Sequence, residues 1–230
     1  MCKDCNDTGY LDNIKGGYLY SRECKCRKMK RAWAAIKKSN LEKAIETYTF
    51  DNYKTTEQWQ SKIKVLAEQF ATDNNGRWFF IGGQDGSGKT HICTAIVGRL
   101  FEQRIPVHHM MWLDASSQLK ANTTEAEDYQ DLILPLKNAD VLYIDDLFKT
   151  GDRIDERGKK PTYPTSADIR LAFELLNYRY SSDKTTIISS QRCLREIIKI
   201  DSAIGGRIYE RAGDYCIDIK GVNRNYRINK

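Results

Sequence analysis

An α/β fold is predicted, with a mostly parallel sheet covered by helices on both faces and a small cysteine-bearing module in front. Three observations carry it. Short apolar runs alternate with helix-period segments, one such run empties into a glycine-rich loop, and four cysteines cluster in an opening segment too poor in apolar residues to build a core. The 230 residues suit one full α/β domain plus an appendage.

Cys2 and Cys5, then Cys24 and Cys26, form two tight pairs, and the DTG and KGG turn signals between them let the chain fold back on itself. Four thiolates so arranged outline a tetrahedral zinc site, whose ligation supplies the folding energy the segment lacks. No strand-helix pattern surrounds Cys2 and Cys5, which disfavours a thioredoxin-like pair. No apolar run approaches the roughly 18 residues of a membrane span, and the opening is polar rather than a signal sequence. The expected place is the cytoplasm, where lasting disulfides are rare and membrane partners are excluded.

From Arg22 to Lys38 eight bases meet the single acid Glu23, and the last eleven residues hold Lys220, Arg224, Arg227 and Lys230 with no acid. Such clusters favour a polyanionic partner. The basic extension ends near Ser39, and the polar stretch TYTFDNYKTTEQ precedes the first strongly periodic helix, which divides the chain into residues 1–46 and 47–230. That helix follows from Trp59, Ile63, Leu66, Ala67 and Phe70. Strands are predicted at 77–81, 107–113, 141–145, 185–190 and 215–220, with helices near 89–103, 125–137 and 166–180. The insertion at 149–165, with two prolines and mixed charge, reads as a long exposed loop carrying Tyr163.

FFIGGQDGSGKTHI follows the phosphate-loop pattern from Gly83 to Thr90, between a predicted strand and a predicted helix. Gly83, Gly86 and Gly88, with Gln84, Asp85 and Ser87 between them, let backbone amides converge on phosphate oxygens at a helix N-terminus. Lys89 reaches the β- and γ-phosphates of a nucleotide such as ATP, and the Thr90 hydroxyl binds Mg²⁺. In VLYIDDLF a buried strand ends in two acids. Asp145 is placed to hold the metal and Asp146 to polarise the attacking water. The strand TTIISSQR is expected to set a polar group near the γ-phosphate, Gln191 first and Ser190 second.

Taken in order, the cysteine pairs, TFDNY, GGQDGSGKTHI, LYIDD, IISSQR and GGRIYERAG make the chain similar to the DnaC/DnaI-type replicative helicase loaders. The resemblance covers nearly the whole chain and implies an AAA+ P-loop NTPase core behind the zinc module. It also implies ATP hydrolysis, a hexameric replicative helicase gripped by residues 1–46, single-stranded DNA as a second partner, and self-association in the ATP- or DNA-bound state. By the same resemblance His91 completes the GKTH signature, Phe50 and its neighbours lie beside the adenine, and Arg207 is an arginine finger for which Arg211 competes. Arg227 of NYR matches a terminal Ser-Tyr-Arg box with Asn225 in the serine's place, and Gln191 stands where the family carries asparagine. Three other readings share the loop: a transposition helper ATPase, a non-catalytic ATP-binding adaptor, and a small-molecule kinase, which lacks an arginine-rich lid here.

Overall fold

In the computed structural model, which describes residues 1–39, 41–150 and 163–219, the apolar runs become strands of two sheets. Strands β1 (Tyr10–Lys15) and β2 (Tyr18–Glu23) form an antiparallel hairpin. Its turn is Gly16-Gly17, both at positive φ (59° and 81°), as a tight two-residue hairpin loop requires. The main sheet is parallel throughout. It contains β3 (Trp78–Gly83), β4 (Val107–Met111), β5 (Val141–Asp145), β6 (Thr185–Ser190) and β7 (Cys216–Ile219), in the order β4-β5-β6-β3-β7.

Successive strand residues point to opposite faces, and both faces are covered, so the strands are apolar on each side. Helices α1 (Lys25–Lys38), α2 (Leu41–Thr47), α3 (Gln58–Thr72) and α4 (Lys89–Glu102) bury Phe79, Ile81, Tyr143 and Ile187. Helices α5 (Trp112–Ala121), α6 (Ala126–Asn138), α7 (Ser166–Ser181), α8 (Leu194–Ile200) and α9 (Ser202–Ala212) bury Trp78, Phe80, Leu142, Ile144 and Ile188 on the other side. Each fully buried side chain of this size contributes on the order of 1.5–3 kcal/mol.

Several elements differ from the sequence-based expectation, in which α2, α8 and α9 have no counterpart. The strand expected to run to Leu113 stops at Met111, because Trp112, Ser116 and Leu119 recur at helical spacing and are all buried in α5. Gly213–Tyr215 form a 3-10 turn, so the last described strand starts at Cys216. The basic extension is the helix α1, whose Ala32 and Ile36 are buried while Lys25, Lys30 and Lys37 are exposed. Ile36 and Leu41 join the core that contains Phe70 and Ile92. Of the 149–165 insertion, residues 151–162 lie outside the described residues; Tyr163 is exposed.

Arg179, fully buried near the end of α7, donates to the carbonyls of Leu136, Lys137 and Ala139 and to the Thr186 hydroxyl. It therefore satisfies the carbonyls left open at the C-terminus of α6 and ties that helix to β6. Burial pulls its pKa down to about 9. The carboxyl ends of β3, β5 and β6 meet on the opposite edge of the sheet, where parallel α/β folds place their ligands.

Candidate functional site

Both glycines at the end of β3 are imposed by their neighbours. A Cβ on Gly82 would meet the Arg192 carbonyl at 2.4 Å, and one on Gly83, at φ 123°, would meet the Ile219 carbonyl at 2.4 Å. Gly88, at φ 89°, caps α4 in the left-handed region, which aims the first amides of the helix into the loop. Ser87 Oγ donates to the Gln84 carbonyl (2.7 Å) and stiffens the turn. Gln84 and Asp85 are exposed at its tip, and Thr90 is half-buried in the first turn of α4. Lys89 is buried, with Nζ donating to the Gly83 and Gln84 carbonyls at 2.8 and 2.7 Å. Burial lowers its pKa against the pull of Asp85 and Asp146. The loop's own carbonyls thus hold the ammonium where phosphate oxygens would be received.

The two acids are arranged by a residue the sequence reading passed over. Asp145 Oδ1 accepts from Ser189 Oγ (2.6 Å) and Tyr143 Oη (2.8 Å), and Ser189 Oγ in turn accepts the Asp146 amide (2.9 Å). Asp146 sits at φ 58°, a conformation that costs a non-glycine residue on the order of 1 kcal/mol or more. Its carboxylate pairs with Lys149 at 2.7 Å. The Leu147 amide donates to the Ser189 carbonyl (2.8 Å) and Ser190 Oγ donates to the Leu147 carbonyl (2.8 Å), locking the turn after β5. Ser190 is therefore a backbone clamp, while Gln191 lies half-buried immediately beyond β6. Tyr143, whose pKa burial drives far up, stays a neutral donor. Behind it His109 packs ring on ring (5.1 Å), and its Nδ1 lies 3.1 Å from Ser39 Oγ at the end of α1. Ser39 Oγ donates to the Ile36 carbonyl, so Nδ1–H is assigned as donor to Ser39.

Beside the loop a cavity of about 300 Å³ is lined by Tyr48, Asn52, Tyr53, Gly86, Gly88 and His91, among others. The His91 ring lies between Tyr48 (4.9 Å) and Tyr53 (5.1 Å, edge-on), and its Nε2–H donates to the Thr49 carbonyl at 2.9 Å. Burial lowers its pKa. Phe50 points away from this cavity into the core, with the Arg99 guanidinium 5.4 Å above its ring. Of the segment expected beside a base, Asn52 and Tyr53 line this cavity together with Tyr48 just before it, and Phe50 does not.

Arg207 and Arg211 stand one turn apart on α9 and pack against α7 and the turn that follows it, with Arg207 also donating to the Ala203 carbonyl of its own helix at 2.9 Å. Arg211 donates to Asp183 and to the Tyr180 carbonyl, both at 2.6 Å. Arg207 lies between the rings of Phe173 (5.0 Å) and Tyr180 (5.5 Å), with its Nε buried and unpartnered. Arg227 lies outside the described residues.

At the other end of the chain the hairpin brings Cys2, Cys5, Cys24 and Cys26 together. Their sulfurs all lie within 4.8 Å of one another, with Cys5–Cys26 at 3.4 Å and Cys2–Cys24 at 3.8 Å. Zinc–sulfur bonds of about 2.3 Å in a tetrahedron put sulfurs about 3.8 Å apart, so this donor set fits zinc. The Gly9 amide donates to Cys5 Sγ at 3.3 Å. Although burial raises it, that amide and the neighbouring thiols draw the Cys5 pKa down to about 7, while contact with Cys5 pushes Cys26 up to about 12.

Comparison with known proteins agrees with this geometry. The family of IstB-like ATP binding proteins matches residues 3–229. The phage-like element PBSX protein XkdC of Bacillus subtilis (strain 168) is 32% identical over 236 residues, 96% of this chain and 83% of that protein. The replicative helicase loader DnaC of Buchnera aphidicola subsp. Acyrthosiphon pisum (strain APS) is 28% identical over 134 residues, 55% of this chain and 52% of that protein. The crystal structure of the DnaC helicase loader superposes with a TM-score of 0.59 at 23% identity, covering 83% of this chain and 99% of that one. With its phosphate loop, paired acids and parallel sheet, the chain belongs to the family of IstB-like ATP binding proteins and has the AAA+ fold of the DnaC-type loaders.

Proposed function

We propose that this protein is a cytoplasmic, ATP-hydrolysing loader that binds a replicative hexameric helicase through residues 1–46 and places it on single-stranded DNA with the AAA+ domain of residues 47–230. The observation that carries the reading is a shared core. Ile36 of α1, the helix whose first turn holds Cys26, is buried together with Ile92 of α4, the helix that opens with Lys89. A partner held by the cysteine module is thereby joined rigidly to the nucleotide site.

In this reading the loop amides and Lys89 bind the phosphates, Tyr48 and Tyr53 flank the base, and Thr90 and Asp145 hold Mg²⁺. The ion, when bound, neutralises charge on the β- and γ-phosphates. Asp146 takes the proton of the attacking water, Gln191 orients the γ-phosphoryl group, and Arg207 or Arg211 comes from a neighbouring copy. Cys2, Cys5, Cys24 and Cys26 hold zinc.

The test is capture of a purified replicative helicase by the immobilised protein with ATP, alongside a transposase. Helicase retention together with delivery of the helicase onto a single strand supports the loader. Retention of the transposase alone favours the transposition helper. Binding of ATP without turnover under any condition leaves the adaptor.

A further inference from the structure

The cysteine module carries a surface that the ATPase site leaves unused. Residues 1–39 contain ten lysines and arginines against four acids, which accounts for the whole of the chain's net charge of +6. Strand alternation sorts the hairpin into two faces. One bears Tyr10, Asp12, Ile14, Leu19, Ser21 and Glu23 and is engaged with α1 at its Tyr10–Glu23 end, where the Arg27 guanidinium lies 4.5 Å over the Tyr10 ring and Glu23 pairs with Arg31 at 2.7 Å, while Ile14 and Leu19 toward the turn are exposed. The other bears Leu11, Asn13, Lys15, Tyr18, Tyr20 and Arg22 and has no acid.

On that second face Tyr18 and Tyr20 are 73% and 57% exposed, two residues apart on one strand, and Lys15 sits directly across from Tyr18. Lys15 and Arg22 have no ion-pair partner among the described residues. The two rings border an open cleft of about 600 Å³ with Asn13, Lys15 and Gly16. Adjacent exposed rings on a cationic, acid-free face suit a polyanion whose flat groups are free to stack. Bases in a duplex are already stacked on one another, so the complementary partner is a single strand.

We propose that this face is a single-stranded DNA platform, on which Tyr18 and Tyr20 stack bases while Lys15 and Arg22 hold phosphates, and that it binds without nucleotide. It rests on the loader reading only for the choice of DNA over RNA.

Fluorescence anisotropy of a labelled oligothymidine of about twenty nucleotides, titrated with the zinc-loaded full chain without ATP, tests it. Tyr18→Ala/Tyr20→Ala should raise the Kd at least about tenfold, and Tyr18→Phe/Tyr20→Phe should keep it within about twofold. Lys15→Ala/Arg22→Ala should flatten the slope of log affinity against log salt by about 1.4. Zinc content and ATPase rate should be the same in all variants. An unchanged Kd in the double tyrosine-to-alanine variant overturns the platform, as does equal affinity for a duplex of the same length. Tighter binding of an oligouridine overturns the choice of DNA. Loss of helicase capture with an unaltered DNA Kd makes this a protein-docking face and also overturns the proposal. If no helicase is captured by any variant and the tyrosine pair still sets DNA affinity, the loader reading falls while the platform stands.

Discussion

Ser189 Oγ donates to Asp145 at 2.6 Å while accepting the amide of Asp146 at 2.9 Å, so a single hydroxyl orients both acids of the site. Removing it frees the carboxylate of one and the strained backbone of the other. Ser189→Ala should therefore lower ATP turnover by about tenfold or more with little change in nucleotide affinity, and cost about 1 kcal/mol of stability. Steady-state turnover beside a nucleotide titration checks it; parent-like turnover would sink the assignment.

Lys89 is a buried cation whose partners are loop carbonyls, so its charge is held at a cost to the fold. Lys89→Met should weaken ATP binding by at least about tenfold and leave the melting temperature equal or higher. A variant that melts earlier yet binds ATP normally would assign Lys89 to the core and not to phosphate.

His109 carries a pH dependence with a definite sign. Burial holds its folded pKa down at about 4, with His108 pushing the same way and Asp145 pulling against it, below the 6.5 of a free imidazole. The unfolded chain takes that proton first. The stabilisation is fully present above about pH 6.5 and is lost as the pH falls toward 4, up to about 3 kcal/mol. Denaturant unfolding at pH 7 and 4.5 should show this loss in the parent and a smaller one in His109→Phe, which keeps the ring against Tyr143.

One zinc per chain is expected. Chelation should unravel the hairpin and abolish helicase capture while nucleotide binding persists, because Ala32 and Ile36 anchor α1 independently of the thiols. Metal analysis before and after chelation, with nucleotide titration of both samples, measures this. Substoichiometric zinc in active protein would end the metal reading.

The two arginines of α9 should separate by phenotype. Arg211 is engaged with Asp183 and the Tyr180 carbonyl, so Arg211→Ala should cost about 1 kcal/mol of stability. Arg207→Ala should lose most of the turnover and regain part of it when mixed with Lys89→Ala, each variant supplying what the other lacks across a subunit boundary. Full activity of Arg207→Ala alone contradicts a shared site.

What the sequence made legible was local in the chain. The glycines at 83, 86 and 88 with Lys89 and Thr90 announce a phosphate loop because the loop is built within eight residues, and the paired acids announce themselves at a strand end. Ser189 could not be read in the same way: its partner is 44 residues distant, and only the pairing of β5 with β6 brings the two together. In α1 the helical spacing of Ala32 and Ile36 was hidden among lysines and arginines. At TFDNY the segment was legible but its facing was not. The turn in which the Tyr53 amide returns to the Phe50 carbonyl at 3.3 Å accompanies Phe50's burial and leaves the tyrosines to line the cavity.

The place of β3 between β6 and β7 bears on how a newly made chain matures. Its two neighbours, β6 and β7, begin about a hundred residues or more beyond the phosphate loop, and the Gly83 backbone is crowded by Ile219 near the end of the described chain. On the ribosome, where synthesis runs at roughly 5–20 residues per second, the loop emerges several seconds or more before the strands that shape it. Through that interval the apolar run Trp78–Ile81 has no sheet to join, and nucleotide cannot template folding because its cradle is unbuilt. Assembly must wait for long-range parallel pairing, the slow class of contact. Premature termination before β7 should then yield a chain that binds no ATP and exposes a sticky strand, making this protein dependent on shielding of its nascent middle.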